Sequence, residues 1–130
     1  MSVGLLIITH NNIGQELLNT ATAMLETCPL QTEHFAIHND CNLEDTITKA
    51  SKRISNLDNG DGVLILTDMY GSTPSNIANH LSKEYNVKVI SGVNLPMLIR
   101  VLNYPRLNLE QLTEKARSGG HDGIMICKQP

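Results

Sequence analysis

Two side chains with complementary chemistry directly follow two apolar segments of the sequence. His10 comes after the run Val3–Thr9, and Asp68 comes after Val63–Thr67. An imidazole nitrogen can attack phosphorus or a carbonyl carbon. A carboxylate that accepts a hydrogen bond from the other ring nitrogen fixes the tautomer and stabilises the positive charge that develops. If the two segments are neighbouring strands, His10 and Asp68 form a nucleophile with its orienting partner.

The loop after Asp68 adds an element that attracts anions. Gly71, Ser72 and Thr73 lie just before Pro74, where a helix is predicted to begin. Free N–H groups and the helix dipole favour negative charge at such a position. Together with His10, this loop suits a phosphoryl group carried on the imidazole.

Each of these residues, taken singly, also has an ordinary structural explanation. A histidine at a strand end can be a hydrogen-bonded loop residue, Asp68 can form a turn, and Ser72 or Thr73 can cap a helix. His34 and His38 lie four residues apart on a predicted strand, with Cys41 three residues later. That trio lacks an evident fourth ligand, so we expect no metal site.

Composition and absent motifs exclude several other functions. The net charge of −3 and the 3% aromatic content argue against nucleic-acid binding. No uninterrupted apolar run exceeds four residues, far fewer than the roughly 20 that cross a bilayer. Three cysteines without a CxxC pair indicate reduced thiols and a cytoplasmic protein. The GxxxxGK[ST], GxGxxG and GxSxG motifs are all absent. A phospho-aspartate receiver would have acidic residues where Asn11 and Asn12 follow His10.

Hydrophobic periodicity predicts a single α/β domain over residues 1–130, in which strands and helices largely alternate. The predicted strands are Val3–Thr9, His34–His38, Val63–Thr67, Val87–Ser91 and a short last one, Ile124–Cys127. The helices between them have the expected N-caps Asn11 or Asn12, Asn42, Thr73 and Asn108, and Gly119-Gly120 is expected to end the last helix.

This pattern predicts a doubly wound, mostly parallel sheet with the strand order 2-1-3-4. In that order the ligand crevice lies between strands one and three, at their carboxyl ends. His10 and Asp68 follow those two strands, and Asn94 lies in the equivalent loop after the fourth. Their convergence at one crevice puts a catalytic role on an equal footing with the separate structural ones.

Three segments of the chain resemble a known family. They are Gly4–His10, Leu64–Asn76 and Ile90–Leu98, and they are similar to the IIA domain of the mannose family of the bacterial phosphoenolpyruvate:sugar phosphotransferase system (PTS). The likeness covers nearly the whole chain, and the second and third segments carry most of its specificity.

The resemblance implies a phosphocarrier for sugar uptake. In this interpretation His10 accepts a phosphoryl group from the carrier HPr and passes it to a IIB component. Asp68 hydrogen-bonds the other ring nitrogen of His10, and the loop around Ser72 holds the phosphoryl oxygens. The family also implies a homodimer, in which the last strand (here Ile124–Cys127) crosses to the neighbouring subunit and runs antiparallel. No metal or nucleotide cofactor is implied.

Two further expectations follow from the resemblance. Partners must reach His10, so we expect Met69, Asn94, Leu95 and Met97 to rim the crevice as docking residues. Asn11 and Asn12 stand where the family commonly has glycine or another small residue, and there a side-chain amide would donate to the phosphoryl group or crowd the partner. Two alternatives stay open: a free-standing regulatory IIA-like module whose phosphorylation state is sensed, and the related phosphotransferase subunit of dihydroxyacetone kinase.

Overall fold

The computed structural model describes residues 2–128, in which strands and helices alternate up to the last two helices. The elements are β1 (Gly4–His10), α1 (Ile13–Leu25), β2 (Thr32–Ile37), α2 (Leu43–Leu57), β3 (Val63–Thr67), α3 (Thr73–Leu81), β4 (Val87–Ser91), α4 (Leu95–Leu102) and α5 (Leu109–Asp122). The strands form one parallel sheet in the order β2-β1-β3-β4, which confirms the predicted topology. Within residues 2–128, no helix has both the length and the apolar character needed to span a bilayer.

The central strands are apolar along their whole length because helices cover both faces of the sheet. Alternate residues point to opposite faces. Leu5, Ile7, Leu64 and Leu66 pack with α1, α4 and α5, whereas Leu6, Ile8 and Ile65 pack with α2 and α3. Two aliphatic layers therefore hold β1 and β3 rigidly side by side, and with them the loops at their carboxyl ends.

Three of the four predicted N-cap positions are confirmed, and the one at Thr73 is wrong. The side chains of Asn42 and Asn108 each accept a backbone N–H of the first turn of the helix that follows. At α1, Asn12 occupies the N-cap position without a side-chain hydrogen bond, and Thr9 Oγ1 accepts from the Gly14 N–H instead. At α3 the cap position is Ser72, one residue earlier than the predicted Thr73.

The expected end of the last helix at Gly119-Gly120 is also wrong, because α5 continues to Asp122. Both glycines face α4. A Cβ on Gly119 would lie 2.7 Å from Cβ of Arg100, and one on Gly120 would lie 2.7 Å from Cε of Met97. The pair therefore permits a close approach of two helices, and that packing outweighs the low helix propensity of glycine.

Ile124–Cys127, predicted as a fifth strand, is not a strand in the single chain. The segment leaves α5 with its apolar side chains in solvent: Ile124 and Met125 are each 77% exposed and Ile126 is 97% exposed. A strand requires a neighbouring edge for its backbone hydrogen bonds, and within residues 2–128 this segment pairs with none.

Replacing the two glycines of α5 by alanine should have unequal effects. Alanine gains about 1 kcal/mol of helix propensity over glycine, but overpacking typically costs about 1–3 kcal/mol. Gly119→Ala meets the stem of Arg100 and should lower the free energy of unfolding by about 1 kcal/mol or more. Gly120→Ala meets only the mobile end of Met97 and should be nearly neutral. Urea unfolding of the two variants measures the difference, and equal stabilities would contradict the close-packing explanation.

Candidate active site

The two central strands deliver His10 and Asp68 to the same edge of the sheet. His10 is the last residue of β1, and Asp68 immediately follows β3. The parallel register pairs Ile8 with Thr67, so the two chains leave the sheet side by side. The two side chains that follow strands one and three therefore lie together at the carboxyl ends of those strands, as predicted.

The Asp68 carboxylate binds His10 through two separate donors. Oδ2 of Asp68 lies 2.8 Å from Nδ1 of His10 and 3.0 Å from the His10 backbone nitrogen. A carboxylate accepts, so Nδ1 carries the proton and Nε2 keeps its lone pair. The side chain of Asp68 is 13% exposed and that of His10 is 34% exposed. The arrangement leaves Nε2 as the nucleophilic nitrogen of a partly exposed ring whose tautomer Asp68 fixes.

The electrostatics of Asp68 reflect two opposing effects. Partial burial raises the pKa of this carboxyl group, whereas the hydrogen bonds from the ring and backbone of His10, together with the attraction of the ring, lower it. The pKa ends below its ordinary value of 3.8. Asp68 is therefore a carboxylate at neutral pH, and its charge is available to stabilise a positive imidazole.

Of the three predicted phosphoryl-binding residues, Thr73 lines a cleft together with His10, whereas Gly71 and Ser72 are not among the residues that line it. The volume of this cleft is about 90 Å³, and Thr73 is the first residue of α3. Gly71 has a positive φ of 83° and open space around it. The Ser72 hydroxyl donates to the carbonyl of Met69 within its own turn. The loop therefore leads into α3 so that the N-terminus of this helix lies next to the imidazole, which is the arrangement that the predicted anion site needs.

Of the four expected docking residues, one is exposed, two are half-buried and one is buried. Met69 is 59% exposed beside Asp68, and Leu95 lies in an apolar groove between the start of α4 and α1. Asn94 is half-buried because its amide caps α4 through the Met97 N–H and donates to the carbonyl of Gly120. The expectation for Met97 is wrong: it is 3% exposed, since its side chain faces α5 and belongs to the core.

The interpretation from sequence missed buried hydroxyl groups that hold the edge of the site. Thr67 and Ser91, the last residues of β3 and β4, are joined by a 2.8 Å hydrogen bond between their hydroxyls. Ser75, fully buried in α3, lies 3.3 Å from the same Ser91 oxygen. This chain of hydroxyls ties the start of α3 to the sheet. The available signal was a hydroxyl residue ending each of two apolar strands.

The structure also assigns His38 a place that the sequence did not suggest. His38 follows β2, on the other side of β1 from Asp68, and lines the same cleft as His10. The possible metal trio does not form. In residues 2–128, no three His, Cys, Asp or Glu side chains gather closely enough to hold a metal ion.

Comparisons with known proteins agree with this architecture. A family model described as "PTS system fructose IIA component" (EIIA-man) matches residues 4–116. The chain belongs to the mannose-type PTS IIA family. The resemblance inferred from its sequence motifs is thereby confirmed.

The individual relatives of this IIA domain are described as EIIAB and EIIA components of the PTS. It is 32% identical over 133 aligned residues to the "PTS system mannose-specific EIIAB component" of Escherichia coli, covering 98% of this chain and 40% of that protein. The chain therefore spans less than half the length of that relative. It is also 30% identical over 69 residues to the "PTS system fructose-specific EIIA component" of Bacillus subtilis, which covers 52% of this chain and 47% of that protein.

Solved structures share the fold of the IIA domain at lower sequence identity. The mannose/sorbose-specific IIA subunit from Enterococcus faecalis superposes with a TM-score of 0.89 at 22% identity, covering 100% of this chain and 98% of that one. An EIIA component from Streptococcus agalactiae gives 0.84 at 23% identity, with 95% and 96% covered. These likenesses confirm the fold.

The hydrogen bonds of Asp68 predict how it titrates. In the folded protein its carboxyl group should titrate below 3.8, as followed by the carboxyl ¹³C signal in NMR. In His10→Ala the opposing effect of burial remains while the ring bond is lost, so the midpoint should rise. A depressed folded-state pKa adds stability that is complete above the unfolded value and is lost as pH falls through the folded value.

The control for this titration is Asp122, whose pKa is lowered by Arg100 on another part of the surface. Its midpoint should be the same in both proteins. An unchanged Asp68 midpoint in His10→Ala would show that the imidazole does not hold this carboxylate in solution.

Proposed function

We propose that this PTS IIA domain carries a phosphoryl group on Nε2 of His10, accepting it from phospho-HPr and passing it to a IIB component. The observation that carries the proposal is the 2.8 Å contact between Nδ1 of His10 and Oδ2 of Asp68. It leaves Nε2 as the single nucleophilic nitrogen of a ring that is partly exposed. Membership of a family of phosphotransfer components supports the same reaction class.

In the proposed transfer, the lone pair on Nε2 of His10 attacks the phosphorus of the donor's phosphohistidine. The new P–N bond forms as the donor's P–N bond breaks, and the donor imidazole keeps the electron pair of the broken bond. No proton has to leave His10, because the Nδ1 proton stays in its bond to Asp68. In the transfer to IIB the acceptor attacks the phosphorus, and the P–N bond to His10 breaks with its electron pair returning to Nε2.

The protein's contribution is positioning and charge stabilisation. Positive charge develops on the His10 ring as Nε2 bonds to phosphorus, and the carboxylate of Asp68 lies against that ring. Thr73, the first residue of α3, lines the same cleft, where the helix terminus attracts the phosphoryl oxygens. Gly71 and Ser72 shape that approach. The step needs no metal or nucleotide cofactor.

Partner proteins dock, in this proposal, on the rim around His10. Met69 projects on one side of the imidazole's crevice. Leu95 with Ile13 and Leu17 lines an apolar groove on another, with Asn12 at its end. Transient carrier complexes need such a modest apolar surface with a polar margin. Asn94 acts from beneath, because its amide fixes the start of α4 and so the position of Leu95.

Two substitutions test the phosphoryl transfer. His10→Ala should take up no phosphoryl group when incubated with enzyme I, HPr and phosphoenolpyruvate, and Asp68→Asn should take it up about 100-fold or more slowly. Asparagine keeps the shape of the side chain but has no negative charge with which to stabilise a positive imidazole. Intact-mass spectrometry follows the loading, and circular dichroism confirms that both variants are folded.

The contrary results are an unmodified wild-type chain or a phosphorylated His10→Ala chain, either of which would overturn the assignment. A chase with a IIB protein then separates carrier from regulator. Transfer to IIB is expected of a carrier, whereas a stable phosphorylated domain that IIB cannot discharge indicates the regulatory role.

We also propose that Ile124–Cys127 becomes a strand in a homodimer. Three consecutive exposed apolar side chains, Ile124, Met125 and Ile126, are costly in water. β4 lies at the end of the strand order, so its outer edge has free backbone groups for another strand. Antiparallel addition of this segment to β4 of a second copy would cover both, in agreement with what the family resemblance implies.

A charge in this segment should dissociate the dimer. Ile126→Asp places a carboxylate in the proposed interface. In sedimentation velocity at micromolar concentration, the wild-type protein should be a dimer and this variant a monomer. Asn79→Asp, which adds the same charge to the exposed surface of α3, should remain dimeric. A monomeric wild-type protein, or a dimeric Ile126→Asp, would contradict the exchange.

A further inference from the structure

The strand order places a second imidazole beside His10. β1 lies between β2 and β3, so the residues that leave these two neighbours flank His10 on opposite sides. On the β3 side is Asp68. On the β2 side the register pairs His10 with Ile37, and the Asn11 N–H donates to the Ile37 carbonyl over 3.0 Å. The next residue is His38, and it shares a cleft with His10.

Asn11 holds the His38 ring. Nδ1 of His38 lies 3.2 Å from Oδ1 of Asn11, so this nitrogen donates to the amide oxygen and Nε2 is left for another partner. Asn11 has a positive φ of 49°, a backbone conformation that asparagine tolerates better than most other residues with a side chain. The asparagine thus keeps a backbone suited to glycine while supplying a side chain that orients His38.

The cleft shared by the two imidazoles has the dimensions and lining of an anion site. Its volume is about 90 Å³, equal to a few water molecules, which suits a phosphoryl group and is too small for a nucleotide or a sugar. Its other walls are Ile37, Asn39, Cys41 and Thr73. Among the described residues that line it, only His38 and His10 have side chains that can become positive.

We propose that His38 is a phosphoryl-binding residue of this site: once His10 is phosphorylated, Nε2–H of His38 donates to a phosphoryl oxygen while Asn11 holds Nδ1. The inference rests on the proposed function, since it assigns a ligand to the group that His10 would carry. A dianion in the cleft favours the imidazolium form of His38, in which both ring nitrogens donate. Asp68 then stabilises the positive ring that bears phosphorus, whereas His38 stabilises the negative phosphoryl oxygens.

The first test loads His10 chemically and so does not depend on HPr. Wild-type protein is phosphorylated with the small-molecule donor phosphoramidate, the site is mapped by mass spectrometry, and ¹H–¹⁵N spectra of the histidine rings are recorded. The His38 ring nitrogens should shift to the doubly protonated pattern on loading. They should stay unchanged in His10→Ala treated in the same way. Identical His38 signals in loaded and unloaded wild-type protein would overturn the proposal.

The second test measures how the phosphoryl group partitions between HPr and the domain at equilibrium. His38→Leu should shift the equilibrium toward phospho-HPr by about tenfold, the effect of losing one charge-assisted hydrogen bond in a partly exposed cleft. Asn11→Gly keeps His38 but frees its ring, and should give a smaller shift in the same direction. His80→Gln, at the far end of α3, is the control and should partition like the wild type.

The two tests fail differently. If His38→Leu partitions like wild type, His38 does not bind the group and the proposal is wrong. If wild-type protein takes no phosphoryl group from HPr, the proposed donor is wrong, and the chemically loaded protein still decides whether His38 contacts phosphoryl oxygen.

Discussion

The proposed function depends on the hydrogen bond between the ring of His10 and the carboxylate of Asp68. This bond joins side chains 58 residues apart in the chain, so it exists only because β1 and β3 are neighbours in the sheet. The same carboxylate oxygen also accepts the backbone N–H of His10. This double attachment leaves neither the ring nor the carboxylate free to turn away. A charge-assisted bond of this kind contributes about 1.5–3 kcal/mol in proteins, and partial exposure reduces that value here. For the proposed phosphoryl transfer the bond matters chiefly because it leaves Nε2 of His10 as the nitrogen that would react.

The rest of the fold keeps the edge of the sheet in register. Aliphatic layers on both faces fix β1 against β3, and the hydroxyls of Thr67, Ser75 and Ser91 tie α3 to the strands it follows. Asn94 joins the start of α4 to the carbonyl of Gly120 in α5. The glycines of α5 matter for this reason: they let the two helices approach closely enough for that bond. Positions far from His10 in sequence therefore set the geometry of the loops around it.

In its described part, the single chain leaves an apolar segment and a strand edge exposed to solvent. Ile124, Met125 and Ile126 remain in solvent after α5, and no strand among residues 2–128 pairs with the outer edge of β4. Both features are ones that folded proteins normally cover. The proposed active site lies elsewhere, at the carboxyl ends of the strands. A dimer built through the last segment would thus leave His10 reachable by a carrier.

The amino-acid sequence by itself determined the types of the elements from β1 to α5, the strand order and the pairing of His10 with Asp68. These follow from hydrophobic period and chain connectivity, which are local or nearly local properties. Val63–Thr67 and Val87–Ser91 were predicted with the bounds the structure has. The tertiary structure decided whatever depends on a neighbour distant in sequence. Gly119-Gly120 is a terminator by its own propensity, but α4 makes it a packing surface. Met97 is a surface methionine by position, but α5 buries it. His38 is an ordinary residue after a strand until β1 sets its ring beside His10. Propensity is a property of one segment, whereas burial and contact belong to two, and the second segment enters only when the chain has folded.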